Sequence, residues 1–450
     1  MRRAFFLIVQ AGIAIAAALF LVEHPGSVTI EWLGYQAHTE MGVLVLAVLI
    51  IIILAALFYR AWRALLGAPG SIARNRSQSR RMRGYQALTQ GMVAVAAGDV
   101  ESASKLSRKA DTLLDEPPLT MLLAAQAAQL HGDDSAAARY FERMLERSET
   151  EFLALRGLLS QAMRDDDNLR ALELAQRARA IRPMTPWVIR TCLELEVRMR
   201  RWVEAQDSLV AAQRAGLIDA ETARRQKTAV LIERSREAEA AENLDAAQSL
   251  AHQATGLSPL FVPAVLREAH MLERTERGRQ AAKLIERTWP KAAHPELADI
   301  YLRLDRDEDP LVRLRRAERL YALAPNEAES GLVLARAQIG AEQWAQARET
   351  LMAVVDRAPS RRVYRTMADL EHGENHDAEA ARSWLLRADA AGPDEAWVCQ
   401  ACGTVLPVWS AVCGHCGAFD TVVWTSPTAA VHLPFHDGGP AAGSTLPPPG

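Results

Sequence analysis

The sequence predicts an all-α chain in three parts: an N-terminal two-helix transmembrane hairpin, a tetratricopeptide-repeat α-solenoid, and a small C-terminal knuckle module of the zinc-ribbon type. Three observations predict it. Two long apolar runs stand near the N-terminus, alanines recur at a step of 34 residues through the middle, and four of the five cysteines fall within residues 399–416.

Composition sets the outer bounds. The chain has 450 residues, Lys+Arg 52 against Asp+Glu 55, net charge −3 and 49% hydrophobic residues. That excludes a disordered or collagen-like chain and leaves no bulk basic charge for nucleic acid. The mean hydropathy of −0.07 averages two strongly apolar blocks with a polar remainder.

Residues 4–22 (AFFLIVQAGIAIAAALFLV) have Gln10 as their one polar interruption, and residues 41–59 (MGVLVLAVLIIIILAALFY) carry no charge. Each approaches the ~20 residues that a helix needs to cross a ~30 Å hydrocarbon core. The first run has the basic start and small residues of a cleavable signal, but its apolar stretch continues through residues 19–22. Residues 23–40 contain no Lys or Arg, whereas Arg2 and Arg3 precede the first run and Arg60, Arg63, Arg74, Arg76, Arg80, Arg81 and Arg83 follow the second. The positive-inside bias then puts both ends in the cytoplasm and the short loop outside, with the arginines setting topology and meeting lipid headgroups. Within the loop, residues 28–32 alternate as an extended stretch, with Trp32 and Tyr35 suited to the membrane interface.

From residue 84 to 393 the pattern is helical, rich in Ala, Leu, Arg and Glu. Ala103, Ala137, Ala171 and Ala205 are each 34 residues apart; the phase resumes at Ala247 and Ala281, then at Ala347 and Ala381. Pro325, Pro359 and Pro393 repeat the same step. Turn signals precede the alanines at Gly98-Asp99, Gly132-Asp133, Asp167-Asn168, Arg201-Trp202, Gly278 and Gln343-Trp344. This is the tetratricopeptide arrangement of two antiparallel helices per unit, the small residue marking where they cross closely. Leu106, Tyr140, Leu174 and Leu209 supply the adjacent apolar face. About nine stacked units would form a right-handed superhelix whose concave surface takes protein partners. The helix over residues 220–241 is longer than a standard unit, and residues 302–310 (LRLDRDEDP) lack a clear turn.

Cys399-Gln-Ala-Cys402-Gly403 and Cys413-Gly-His-Cys416-Gly417 form two C-x-x-C-G knuckles with ten residues between them. Two thiolates from each knuckle complete a tetrahedron with all four positions filled, a structural metal site for zinc, with iron the alternative. A module this small needs its metal to fold, and it reads as a local folding unit with Trp397, Val398, Trp409, Phe419 and Trp424 packed around the site. The competing reading makes Cys413 and Cys416 a dithiol redox pair. His372 and His376 read as a polar inter-helix turn, and Cys192 as a buried packing residue. No G-x-G-x-x-G, P-loop, G-x-S-x-G or C-x-x-C-H occurs, so catalysis by this chain is not expected. Residues 425–450 read as a disordered Pro/Gly/Ala tail. The expected division is residues 1–60 for the hairpin, 61–83 for a basic link, 84–393 for the repeats and 396–424 for the metal module.

Two spans, an arginine-rich link and the repeats together resemble the HemY family of bacterial inner-membrane proteins. The resemblance is carried most specifically by residues 24–35 (HPGSVTIEWLGY) and 122–133 (LLAAQAAQLHGD), and it covers roughly residues 1–390. The knuckles are an addition to that pattern. The resemblance implies a multi-pass inner-membrane scaffold facing the cytoplasm, linked to late porphyrin and haem metabolism, with enzymes of that pathway among its partners. It does not imply an oxidase, because the protoporphyrinogen oxidase that shares the name needs a flavin-binding fold with a Gly-rich phosphate turn. LapB-type adaptors are similar in joining an anchor, such repeats and a rubredoxin-like module, and they regulate an envelope-biogenesis partner; those usually have one span.

Overall fold

The structure is a computed structural model that describes residue 15 and residues 26–32, 35–114, 117–304 and 309–427. The first apolar run apart from residue 15, residues 305–308 of the irregular stretch, and the tail from 428 lie outside the described residues. The chain forms two compact units, Met1–Asp133 and Asp134–Gly450.

In the first unit, strands β1 (Ser27–Trp32) and β2 (Tyr35–Glu40) pair antiparallel, with Ser27 opposite Glu40 and Trp32 opposite Tyr35. The extended stretch expected over residues 28–32 therefore has a partner strand. Helix α1 (Met41–Ala96) follows at once, its Met41 amide donating to the Gly26 carbonyl at 2.9 Å. Its segment Met41–Arg63 has mean hydropathy 3.3 and none of it is buried; among the described residues it is the one helix long and apolar enough to cross a membrane. The helix runs on without a break through residues 61–83 into the first repeat. There α2 (Val100–Leu113) packs on it through buried Ala103 and Ala110, and α3 (Pro117–His131) completes the unit.

The second unit opens with α4 (Asp134–Met144) and continues in seven helix pairs. They are α5 (Ser148–Arg164) with α6 (Asn168–Ile181), α7 (Pro186–Arg198) with α8 (Trp202–Arg214), and α9 (Ala220–Ala240) with α10 (Leu244–Leu257). Then come α11 (Val262–Arg274) with α12 (Gly278–Thr288), and α13 (Pro295–Arg303) with α14 (Pro310–Leu323). The last two pair α15 (Ala328–Gly340) with α16 (Trp344–Arg357), and α17 (Arg361–Asn375) with α18 (Ala378–Ala390).

The alanine period is the packing period. Ala103, Ala137, Ala171, Ala205, Ala247, Ala281 and Ala347 are all 0% exposed and Ala381 is 9% exposed, Ala137 on α4 and the others on the second helix of a pair. In α14 the small buried residue comes a turn later, at Ala317. Space is equally short on the first helices: a Cβ on Gly157 of α5 would strike the ring of Phe141 from α4. Pro325, Pro359 and Pro393 each follow the end of a second helix.

The turn inside each unit repeats too. Gly98, Gly132, Asp166, Arg200, Glu242, Glu276, Glu342 and His376 all have φ between +53° and +79°. After the first seven, the next amide returns to the carbonyl five residues back, as Arg201 does to Glu196 at 2.7 Å, which closes a Schellman turn. The turn signal at Gly278 falls two residues late, because Glu276 takes the left-handed position and Gly278 already opens α12. His376 lies in such a turn with its ring nitrogen 3.0 Å from the His372 carbonyl, as the polar-turn reading expects.

Helix α9 has 21 residues against 13 in α7 and 13 in α11, so it carries about two extra turns at its N-terminal end. The first helices α9, α11, α13, α15 and α17 touch in sequence. Buried Arg267 of α11 fixes the first of these contacts, donating to the Ser235 hydroxyl at 2.8 Å, the Ser235 carbonyl at 2.7 Å and Glu239 at 2.5 Å. After α18 a three-stranded antiparallel sheet forms in the order β4-β3-β5, from β3 (Ala396–Cys399), β4 (Val405–Leu406) and β5 (Val422–Thr425).

A left-handed position costs a side-chain-bearing residue roughly 1–2 kcal/mol, partly offset in glycine by its greater unfolded-chain freedom. Arg200→Gly should therefore stabilise the protein by up to about 1 kcal/mol and Gly132→Ala should destabilise it by a similar amount. Denaturant midpoints of the detergent-solubilised chain check both; equal midpoints would show that the turns are not strained.

Candidate metal centre

Each knuckle is built by the same backbone device. Gly403 and Gly417 take φ of +73° and +72°, and their amides donate to the Cys399 and Cys413 carbonyls at 2.8 and 2.9 Å. The Cys399 amide reaches the Thr404 carbonyl and the Cys413 amide reaches that of Ala418, each at 2.9 Å. The two tight turns thus face each other as near copies, and the glycines serve by their left-handed conformation.

The four sulfurs lie within 4.8 Å of one another. Cys399 Sγ is 3.7 Å from Cys416 Sγ, and Cys402 Sγ is 3.8 Å from Cys413 Sγ. Four thiolates at ~2.3 Å from a tetrahedral ion would be about 3.8 Å apart, so the spacing fits a tetrathiolate metal; a disulfide needs about 2.05 Å. Both short pairs join one knuckle to the other, whereas the dithiol reading needs Cys413 and Cys416 as partners. Cys399 and Cys413 are buried and Cys416 is exposed, which leaves one edge of the cluster open to water. The Thr404 hydroxyl, 3.2 Å from the Cys402 sulfur, lowers the pKa of that thiol, while burial raises that of the Cys416 thiol in the same cluster.

The module does not stand apart. Trp397, Cys399, Trp409, Ala411, Cys413 and Val422 share one apolar cluster with Trp202, Leu209, Val230, Ile232 and Ala264 of the repeats. The tryptophans expected to pack around the metal are thus spent largely on the repeat helices. Trp409 meets Phe261 edge-on at 5.5 Å, with the Arg236 guanidinium 5.7 Å from its ring centre. The Trp397 indole N–H donates to Glu296 at 2.7 Å, the Ala411 amide donates to Glu233 at 3.2 Å, and Arg225 donates to Asp420 at 2.6 Å. None of these partners was marked by any motif; the one sequence signal was the unusual length of the helix that carries Arg225 and Glu233.

His294 lies between module and repeats. Its ring is buried 4.2 Å from that of Trp424 and 5.3 Å from that of Trp397, its Nδ1 accepts from the Glu296 amide at 3.3 Å, and its Nε2 has no hydrogen-bond partner. Burial, then the nearby Arg362 charge, pushes its pKa down to about 4. Burial raises the carboxyls of Glu296 and Asp420, against the indole bond to the first and the Arg225 bond to the second. Cys192 is buried in the repeats, its thiol pushed up to about 11 by burial, in keeping with a packing role.

Residues 26–132 match the family described as HemY protein N-terminus. That segment is similar to the N-terminal region of HemY proteins. The likeness drawn from the loop and the second repeat falls on it. Protein HemY of Escherichia coli K12 is 24% identical over 222 residues, 48% of this chain and 54% of that protein. A probable magnetosome protein, Mms48 of Magnetospirillum gryphiswaldense, is 27% identical over 428 residues, 94% of this chain and 93% of that protein. Among solved structures, the TPR2AB domain of yeast Sti1 in its pHSP90 complex is 12% identical, covering 68% of this chain and 98% of that one, with a TM-score of 0.29. That score is too low to speak for a shared shape, so the repeat assignment rests on the helix pairs and their 34-residue step. The knuckles lie outside the HemY segment.

If the four thiolates hold one metal, Cys402→Ser should remove about one metal equivalent, and the cysteines should resist thiol reagents until a chelator is added. Elemental analysis with thiol counting decides it, and four reactive thiols in untreated protein would reject the site.

His294 sets a pH dependence. Its folded pKa is depressed, so between 6.5 and about 4 the unfolded chain binds a proton that the folded chain refuses, and stability falls as pH drops. The raised carboxyls of Glu296 and Asp420 act in the opposite sense above their ordinary range. The His294 share should be about 1 kcal/mol lost between pH 7 and 5.5. His294→Asn, which keeps a cap acceptor, should remove that share; an unchanged difference between the two midpoints would discount it.

Proposed function

We propose that this chain is a membrane-anchored tetratricopeptide scaffold of the HemY type, which binds protein partners and organises or regulates late porphyrin and haem biosynthesis without turnover of its own. One observation carries the scaffold reading: the run of helix pairs that follows an exposed apolar helix. The HemY N-terminal segment supports the pathway.

In this reading residues 1–60 form a two-span anchor, 61–83 a basic continuation, 84–393 the repeats, 396–424 a zinc module and 425–450 a tail. Cys399, Cys402, Cys413 and Cys416 are its metal ligands. The arginines after the second span favour a cytoplasmic array at the inner membrane. The relative matched over most of the chain favours a second reading, in which the same scaffold serves at a magnetosome, as that protein's description has it.

Protease added to intact spheroplasts should leave the repeats whole, and their digestion would sink the cytoplasmic orientation. Capture of the full chain from native membranes should bring down enzymes of porphyrin metabolism; capture of magnetosome proteins in their place would favour the second reading.

A further inference from the structure

The contacts that seat the cysteine module on the repeats depend on the module being folded. Asp420, which takes Arg225, has φ of +57° and donates its amide to the Ala411 carbonyl at 2.7 Å. Ala411 in turn donates to Glu233. Both residues therefore hold their places through the loop that closes around Cys413 and Cys416, where Val412 bridges to Phe419. Trp397 lies on β3, two residues ahead of Cys399, and its reach to Glu296 depends on the pairing of β3 with β5. Some thirty residues cannot bury a sufficient core alone, and a metal would tie together the two knuckles that carry these positions.

The repeats are shaped for this occupant. The two extra turns of α9 carry Arg225, which meets an Asp420 side chain only 5% exposed. The connection is fixed on the repeat side: Arg361 donates to the Ala388 and Ala391 carbonyls at 3.2 and 3.3 Å, and the Arg362 amide donates to Asp394 at 3.0 Å. A released module would stay tethered beside its seat at high effective concentration and could return.

We propose that metal occupancy of the four-cysteine site controls exposure of the repeat face formed by α9, α11 and α13: with metal bound the chain's own module covers that face, and with metal removed the module lets go and uncovers it. This rests on the metal site proposed above. The face so uncovered offers Phe261, the Glu233 and Glu296 carboxylates and the Arg225 guanidinium, all now engaged by the module.

The test uses the purified full-length chain in detergent, with its metal content measured first. Hydrogen exchange is followed before chelation, after it, and after zinc is restored. Amides in residues 220–240, 262–274 and 295–303 should exchange at least tenfold faster without metal and recover with zinc, while those in 148–181 stay unchanged. A second protein carrying Arg225→Ala and Glu296→Ala, which removes the acceptor of the Trp397 indole, should keep its metal equivalent yet show the faster exchange. A chain with one metal whose face stays protected after chelation overturns the control, as does a double variant with unchanged exchange. A chain that holds no metal overturns the site reading itself, and this proposal with it.

Discussion

The close approach of helices at the recurring alanine is the constraint on which the rest of this molecule depends. A side chain of one methyl lets two helices cross with their backbones near, but it also leaves each pair too little apolar surface to be stable alone. Leu155, Leu172, Val188 and Leu195 illustrate the consequence: one cluster draws its members from α5, α6 and α7, so each pair completes its core with its neighbour's residues. Stability is then a property of the stack, and the irregular places are where the stack does something besides repeat.

Helix α9 is such a place. Its additional turns break the alanine phase by eight residues, the step from Ala205 to Ala247 being 42 instead of 34. They also put a cation where the module's buried Asp420 needs one. The carboxylate is nearly enclosed while the arginine is half exposed, so the pair is worth less as attraction than as relief: Asp420 without its partner would be a charge stranded in an apolar cluster. What reads in the sequence as a lapse in the repeat is a site of attachment.

Much of this was legible beforehand, and what was not has a physical reason. The alanine step and the knuckles could be read because each is set by contacts short in sequence: a helix pair closes within one unit, and a C-x-x-C-G turn closes within five residues. The docking of the module could not, since Arg225 and Asp420 are 195 residues apart and Trp397 and Glu296 are 101 apart, with no period linking them. The left-handed turns were partly legible. Glycine marks them at Gly98 and Gly132, but Arg200, Glu242, Glu276 and Glu342 take the same conformation because the Schellman hydrogen bonds impose it against their preference. The strand pairing of residues 27–40 escaped because the alternation was visible in one strand only.

His294 shows how closely the module and the array are built as one body. Its ring nitrogen caps the start of α13, and its ring packs against both Trp397 and Trp424, which face each other across β3 and β5 with their own rings 5.1 Å apart. A serine or aspartate would cap that helix as well, but neither could pack a ring against the two indoles; a phenylalanine would do that and leave the Glu296 amide bare. Glu296, whose amide is so capped, uses its side chain to hold the Trp397 indole. Two consecutive demands, starting a repeat helix and seating a tryptophan, are thus met by His294 and Glu296 together, and a change in either reaches across the boundary that the sequence drew at residue 393.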